Sequence, residues 1–335
     1  MNNKFFPSNF LFISIMILGT MLSLSSSHWL TMWMGLELNL MSFLPLMNIK
    51  GKMLEAEASM KYFIIQSMSS SMLIFGSIIM YIYNLTWYSM FNNMMSILIL
   101  LSLTLKLGGA PMHFWLPNIS KQMPWSILFL LLTWQKLAPL FMLSLMNSNF
   151  MMIMTVSILS TLMGSMMALN QTNLQLIITY SSISHLGWML SMIIFNNSLT
   201  LFYFINYIII SIPLLYLINS QLGNHLFMLG QKNNINMIII SLILSLAGLP
   251  PLLGFMSKLI MLISLINMKL YILPMFLLLG TLISLYFYLN MSLMLMIKSY
   301  SMFKTKKNNQ LTNPLISLNL MSSFIIYPII IMFMN

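Results

Sequence analysis

The chain has 335 residues, 59% of them hydrophobic and 5% charged, with a formal net charge of +11 and a mean hydropathy of +0.92. A water-soluble domain carries about 25% charged residues, so this chain lacks the polar skin that water demands and is read as a membrane protein. The lysines are too scattered for a nucleic-acid docking patch, and the absence of cysteine excludes disulfides, thiolate zinc sites and iron–sulfur ligation.

The apolar runs are continuous and about twenty residues long, the length of a spanning helix rather than of a barrel strand. The expected fold is an all-α polytopic bundle. In chain order the candidate spans run Phe5 to Ser26, His28 to Asn48, Glu57 to Tyr83, Asn93 to Leu116 and Pro124 to Met146. They continue Phe150 to Asn170, Leu174 to Phe195, Leu199 to Gln221, Ile235 to Ile266, Leu273 to Met296 and Leu315 to Met334, eleven in all. The amino-terminal stretch looks like a signal peptide but lacks a small-residue cleavage site, and another span follows it.

Eleven spans put the termini on opposite sides. Lys4, Lys50, Lys52, Lys121, Lys232, Lys298, Lys304, Lys306 and Lys307 then share the amino-terminal side, and Lys269 stands alone on the other. Nine against one is the asymmetry of the positive-inside rule, which predicts an amino terminus on the inner face, the matrix side if the membrane is a mitochondrial one, and a carboxyl terminus on the opposite, intermembrane side.

Two spans contain breakers. The fourth carries KLGGAPMHFWLP, with Gly108, Gly109, Pro111 and Pro117, and the ninth carries LAGLPPLLGF, with Gly248, Pro250, Pro251 and Gly254. Proline removes a backbone donor and clashes with the preceding turn, so both helices are expected to break inside the membrane. Pro45, Pro139 and Pro213 read as simple kinks. Each break falls in the fourth helix of a set of five, which predicts two inverted repeats, 5–146 and 150–296, and a last helix over 315–334.

Four lysines, Lys61, Lys106, Lys136 and Lys258, lie within spans. Lys61 is one turn from a membrane end and can snorkel. The others cannot, and each intramembrane charge costs roughly 2.5–3.5 kcal/mol on insertion scales. A lysine that gains or loses a carboxylate neighbour such as Glu37 changes its proton affinity, which suits proton transfer; the alternative is a static Lys–Glu pair joining helices. His113 follows Lys106 by seven residues, on the same face if the helix resumes after the break. His185 lies among Tyr180, Ser181, Ser182 and Ser184, hydroxyls able to hold waters in a proton wire. His28 and His225 fall at span ends. No paired-histidine haem site, nucleotide fingerprint or nucleophilic triad is present in the sequence.

The segments SSHWLTMWMGLELNL, EAEASMKYFIIQ, KLGGAPMHFWLP, LLTWQKLAP, LNQTNLQLIITYSSISHLGWM and LAGLPPLLGFMSK, in this order from Ser26 to Lys258, resemble the mitochondrial NADH dehydrogenase subunit 2 family. Members are antiporter-like subunits of the membrane arm of respiratory complex I. The eleven-helix length resembles the animal form. The resemblance implies a charged axis of Glu37, Lys106, Lys136 and Lys258, with His113 and His185 as polar relay and Lys61 as an outlying candidate. It further implies proton translocation across the mitochondrial inner membrane, driven by NADH oxidation and ubiquinone reduction in other subunits. FMN and iron–sulfur clusters would belong to those subunits, with no cofactor in this chain. Implied partners are other membrane-arm subunits, among them neighbouring antiporter-like ones, and lipids, with no nucleic acid. The chain departs from the family pattern at Gln175, Leu176, Asn118, Ser257 and Leu259, none of which is an axis residue. A stand-alone cation/proton antiporter and an inert membrane scaffold are the competing readings.

Overall fold

A computed structural model describes residues 7–49, 51–84, 89–146, 150–220, 233–250 and 252–303. The expected span Leu315 to Met334 and the side chains of Lys4, Lys50, Lys232, Lys298, Lys304, Lys306, Lys307, His225 and Pro251 lie outside what is described. Among the described residues every regular element is a helix, as the continuous apolar runs require: only a helix satisfies its own backbone hydrogen bonds segment by segment in lipid.

The chain divides into two compact units between Val156 and Ser157. The first contains α1 (Pro7–Ser25), α2 (Trp29–Met47), α3 (Met53–Asn84), α4 (Ser89–Leu107), α5 (Trp115–Ser120), α6 (Trp125–Leu132) and α7 (Trp134–Ser144). The division falls inside α8 (Phe150–Ala168), and the second unit continues with α9 (Leu174–Met192), α10 (Asn197–Ser220), α11 (Asn233–Ala247), α12 (Leu253–Asn267) and α13 (Ile272–Phe303). Among the described residues seven spans are long and apolar enough to cross a membrane: α1, α2, α3, α6 taken together with α7, α8, α10 and α13. The halves of the two broken spans are shorter, and α9 is missing from the seven.

The composition of α9 follows from its surroundings. All of its residues except Leu176 and Tyr180 are buried, so its serines and threonines face protein rather than lipid. Thr179, Ser181, Ser182, Ser184 and Ser191 each donate to the carbonyl three residues back at 2.7–2.8 Å, which settles the hydroxyl hydrogen locally. Close helix approach is secured by glycine. A Cβ on Gly19 of α1 would lie 2.9 Å from the Gly35 carbonyl of α2, and a Cβ on Gly164 of α8 would lie 2.8 Å from the Tyr180 carbonyl of α9. Small residues permit such backbone contact where lipid supplies no hydrophobic drive between helices.

Both breaks occur where the sequence places them, and both end their helix in the same way. α4 stops at Gly108 with φ +72° and α11 at Gly248 with φ +83°. In the first, the Gly109 amide donates to Thr104 and the Gly108 amide to Leu105; in the second, Leu249 donates to Leu244 and Gly248 to Ser245. This is the Schellman arrangement, whose left-handed residue is tolerated by glycine because it has no Cβ. A third interruption was not expected. Span five divides into α6 and α7 at Thr133, six residues before Pro139. The Pro139 ring opposes the carbonyl of Gln135 and offers it no N–H, and the Lys136 amide turns back to Thr133 at 3.2 Å in a tighter turn.

Candidate functional site

The three lysines that cannot snorkel are buried: Lys106 is 7% exposed, Lys136 2% and Lys258 8%. Lys61 behaves as its position near the helix start predicts, half exposed and ion-paired one turn back with Glu57. The sequence also understates one acid. Glu55, in the first turn of α3, is buried, where the positive end of the helix dipole favours a carboxylate.

In the first unit Lys106 ends α4 in its last turn, at the end of the helix where unpaired carbonyls and the dipole favour a cation. Glu37 of α2 acts on it electrostatically, but the pair makes no ion contact within 4 Å among the described residues. Glu37 is half-buried rather than enclosed. The static Lys–Glu pair weighed as an alternative is therefore not the arrangement at Lys106. Instead, its side chain lines a cavity of about 20 Å³ bounded by Leu36, Asn39, Leu40, Tyr62, Gln66, Gln135 and Pro139. Asn39 and Gln135 face each other across 96 residues of sequence as a reciprocal amide pair, with N–H to O distances of 2.9 and 3.0 Å. Tyr62 packs edge-on against Phe43 at 5.4 Å and against Trp115 at 5.9 Å, so aromatic contacts from α2, α3 and α5 hold the cavity walls.

His113 lies within the break. The helix resumes at Trp115, so the spacing of seven from Lys106 does not place both on one helical face. Its Nδ1 is 3.2 Å from the Pro111 carbonyl. A carbonyl only accepts, so the neutral ring carries its hydrogen on Nδ1. Nε2 is then a buried acceptor with no partner among the described residues. The ring stacks on Phe114 at 4.3 Å. Trp115 donates from its indole to the Leu105 carbonyl at 3.0 Å, a second donor on a carbonyl that also accepts from the Gly108 amide.

In the second unit Gly254 lets the first turn of α12 lie against the Ser245 carbonyl of α11. One turn further on, this approach delivers Lys258 onto the end of α11. Its ammonium donates to Ala247 at 2.9 Å and Leu246 at 3.3 Å. The second unit contains no acidic residue, and carbonyls at a helix carboxyl end carry the partial negative charge that a lysine there needs. Gly248 leaves room for this: a Cβ would lie 3.1 Å from Lys258 Nζ.

His185 sits in a buried aromatic group whose other members come from α10 and α13. Its Nδ1 is 2.8 Å from the Tyr203 hydroxyl, and its ring centroid is 5.3 Å from that of Tyr207. Tyr207 hydrogen-bonds Ser182, and Tyr288 stands near Ser181. The sequence reading found the serines and missed all three tyrosines, because spacing within α9 says nothing about α10 or α13. Asn39, Tyr62, Gln66 and Gln135 were missed for the same reason, although Asn39 and Gln135 lie within two residues of Glu37 and Lys136. Among the described residues no group of three or more acidic, histidine or cysteine side chains is placed to hold a metal ion.

The profile described as NADH:quinone oxidoreductase/Mrp antiporter, TM, matches residues 26–284. The chain is 41% identical over 325 residues to NADH-ubiquinone oxidoreductase chain 2 of Anopheles gambiae, covering 95% of this chain and 94% of that one. Against the chain 2 of Bos taurus it is 38% identical over 295 residues, 85% of each. Among solved structures it is similar to a chain of respiratory complex I from Thermus thermophilus with bound aureothin, with a TM-score of 0.80 at 21% identity, covering 98% of this chain and 81% of that one. A chain of the Mrp complex from Dietzia sp. DQ12-45-1b gives 0.74 at 17% identity over 87% of this chain and 59% of that one. With a profile match over most of its length and about 40% identity to relatives that it spans almost entirely, the chain belongs to the NADH-ubiquinone oxidoreductase chain 2 family.

Proposed function

We propose that the chain is a proton-translocating membrane subunit of the mitochondrial NADH:ubiquinone oxidoreductase, embedded in the inner membrane among other membrane-arm subunits and lipids. Glu37, Lys106, Lys136 and Lys258 carry the exchangeable charge, with His113 and His185 as relay groups. NADH oxidation and quinone reduction occur in other subunits, and no redox cofactor is assigned here. The observation that carries this reading is the burial of three lysines inside apolar helices, two of them at the carboxyl ends of broken helices. Three such charges cost on the order of 10 kcal/mol to insert, which a purely structural bundle avoids by using leucine.

The matching Schellman ends support two inverted five-helix repeats, 5–146 and 150–296, followed by a last helix over 315–334. Eleven spans with nine lysines on one side support an amino terminus in the matrix and a carboxyl terminus in the intermembrane space. His113 fits the relay role because its Nε2 is a buried acceptor with no donor among the described residues.

The decisive test replaces Lys136 with methionine and measures protons pumped per NADH oxidised by the assembled complex. Pumping should fall while assembly persists. Unchanged pumping in a fully assembled complex overturns the reading. A stand-alone cation/proton antiporter is favoured only by the second half of the matching profile's description. Native-gel migration separates it, because an antiporter would run apart from NADH dehydrogenase activity.

A further inference from the structure

The Lys106 ammonium is buried, has three N–H donors, and makes no hydrogen bond to protein among the described residues. Its electrostatic neighbour among the described residues is Glu37, which stays beyond ion-pair distance. A buried ammonium left so would be strongly unfavourable, and such groups are satisfied by protein or by bound water. The cavity it lines, about 20 Å³, exceeds the roughly 10–15 Å³ that one water requires. Its walls are polar where they must be. Asn39 and Gln135 each use one N–H and one oxygen lone pair in their reciprocal pairing; each oxygen retains a second lone pair and each nitrogen a second hydrogen.

We infer that the Asn39–Gln135 amide pair is a positioning element that binds a single water against the Lys106 ammonium. The water accepts from Lys106 and donates to an amide oxygen of the pair. The double hydrogen bond prevents either amide from rotating, so the water has one orientation, and the direction in which Lys106 can release a proton is set by a neutral pair rather than by a carboxylate. The same pair ties α2, two residues after Glu37, to α7, one residue before Lys136. Glu37, Lys106 and Lys136 are thereby kept in register with the water. Neither amide takes up a proton; they are positioning residues.

This inference rests on proton translocation through the chain, and the test separates the two. Three variants are made in the assembled complex: Gln135→Met and Asn39→Leu, which keep side-chain size and remove the pair, and the exchange Asn39→Gln with Gln135→Asn, which keeps two amides and the same total length. Proton pumping per assembled complex is read in sealed vesicles beside Lys136→Met. Each single variant should slow pumping by on the order of 10- to 100-fold, the effect of an ångström-scale misplacement of a reacting group. The exchange should restore most of it. A merely structural pair would lower the amount of complex on native gels and leave pumping per complex unchanged.

If both single variants pump normally while Lys136→Met does not, the amide inference is wrong and the parent reading stands. If Lys136→Met pumps normally as well, the parent reading has failed. An exchange variant no better than the singles also overturns the inference. Should the apolar variants fail to assemble, Gln135→Asn alone, one methylene too short to reach, is read against the exchange with the same two outcomes.

Discussion

The two broken helices share one backbone device and differ in what occupies it. α4 and α11 both end in a Schellman turn at a left-handed glycine, and each leaves carbonyls at its last turn that need donors. In the first unit a neutral indole, Trp115, takes the Leu105 carbonyl, and the lysine of that helix, Lys106, turns to a polar cavity. In the second, Lys258 arrives from beyond the break and takes the carbonyls itself. The acids explain the difference. Glu37, Glu55 and Glu57 are the chain's only ones, so the first unit can counter a buried ammonium with Glu37 and water, whereas the second has only backbone dipoles of its own. A broken helix can therefore substitute for a carboxylate as the counter-charge of a lysine.

The sharpest way to break this contrast is to remove the charge. Lys258→Met takes a charged residue out of an apolar helix, which eases insertion by roughly 2.5–3.5 kcal/mol, so the complex should assemble. Pumping should nonetheless fall by on the order of 100-fold or more, the share that an acid–base group contributes. Retained pumping in Lys258→Met with loss in Lys106→Met would show that only the first unit handles protons.

The glycines sharpen it next. Gly108→Ala and Gly248→Ala each force a left-handed alanine, at roughly 1–2 kcal/mol. The clashes differ: a Cβ on Gly108 meets Leu116 at 2.6 Å, whereas one on Gly248 meets Lys258. Gly108→Ala should therefore act on assembly and thermal stability, and Gly248→Ala on pumping per assembled complex. Equal effects on both readouts would erase the distinction.

Smaller again is Trp115→Phe, which keeps a ring beside Tyr62 and deletes one donor. It should lower stability by about 0.5–1.5 kcal/mol, the net worth of one hydrogen bond, since the Leu105 carbonyl still accepts from the Gly108 amide, with pumping per complex unchanged; a pumping defect would give the indole a part in proton handling. Lys61→Met should be the mildest change. Its ion pair with Glu57 is half exposed, and exposed pairs contribute little, so neither assembly nor pumping should move measurably.

The all-helical fold, both breaks and the buried lysines could be read from residue order because each depends on local chemistry. Continuous apolar runs demand helices in lipid, Gly-Gly and Gly-Leu-Pro-Pro stop them, and a lysine far from any span end has nowhere to snorkel. The irregularity at Thr133 was less legible. Pro139 announced a kink but not its displacement six residues upstream, where the freed Gln135 carbonyl and the tight turn at Lys136 adjust together.

What the charges touch was decided by tertiary structure alone. The sequence left a static Lys–Glu pair open as an alternative, but the approach of α2, α4 and α7 holds Glu37 short of contact with Lys106, and Asn39 and Gln135 line the same cavity as that lysine. Spacing likewise offered His185 its neighbouring serines, whose hydrogens their own helix claims, while Tyr203 comes from α10 to meet the imidazole. Sequence determined which residues are too polar for lipid. Only the packing of helices distant in sequence determined which donors and acceptors meet them, because hydrogen bonds are fixed by distances of about 3 Å that no periodicity along one helix specifies.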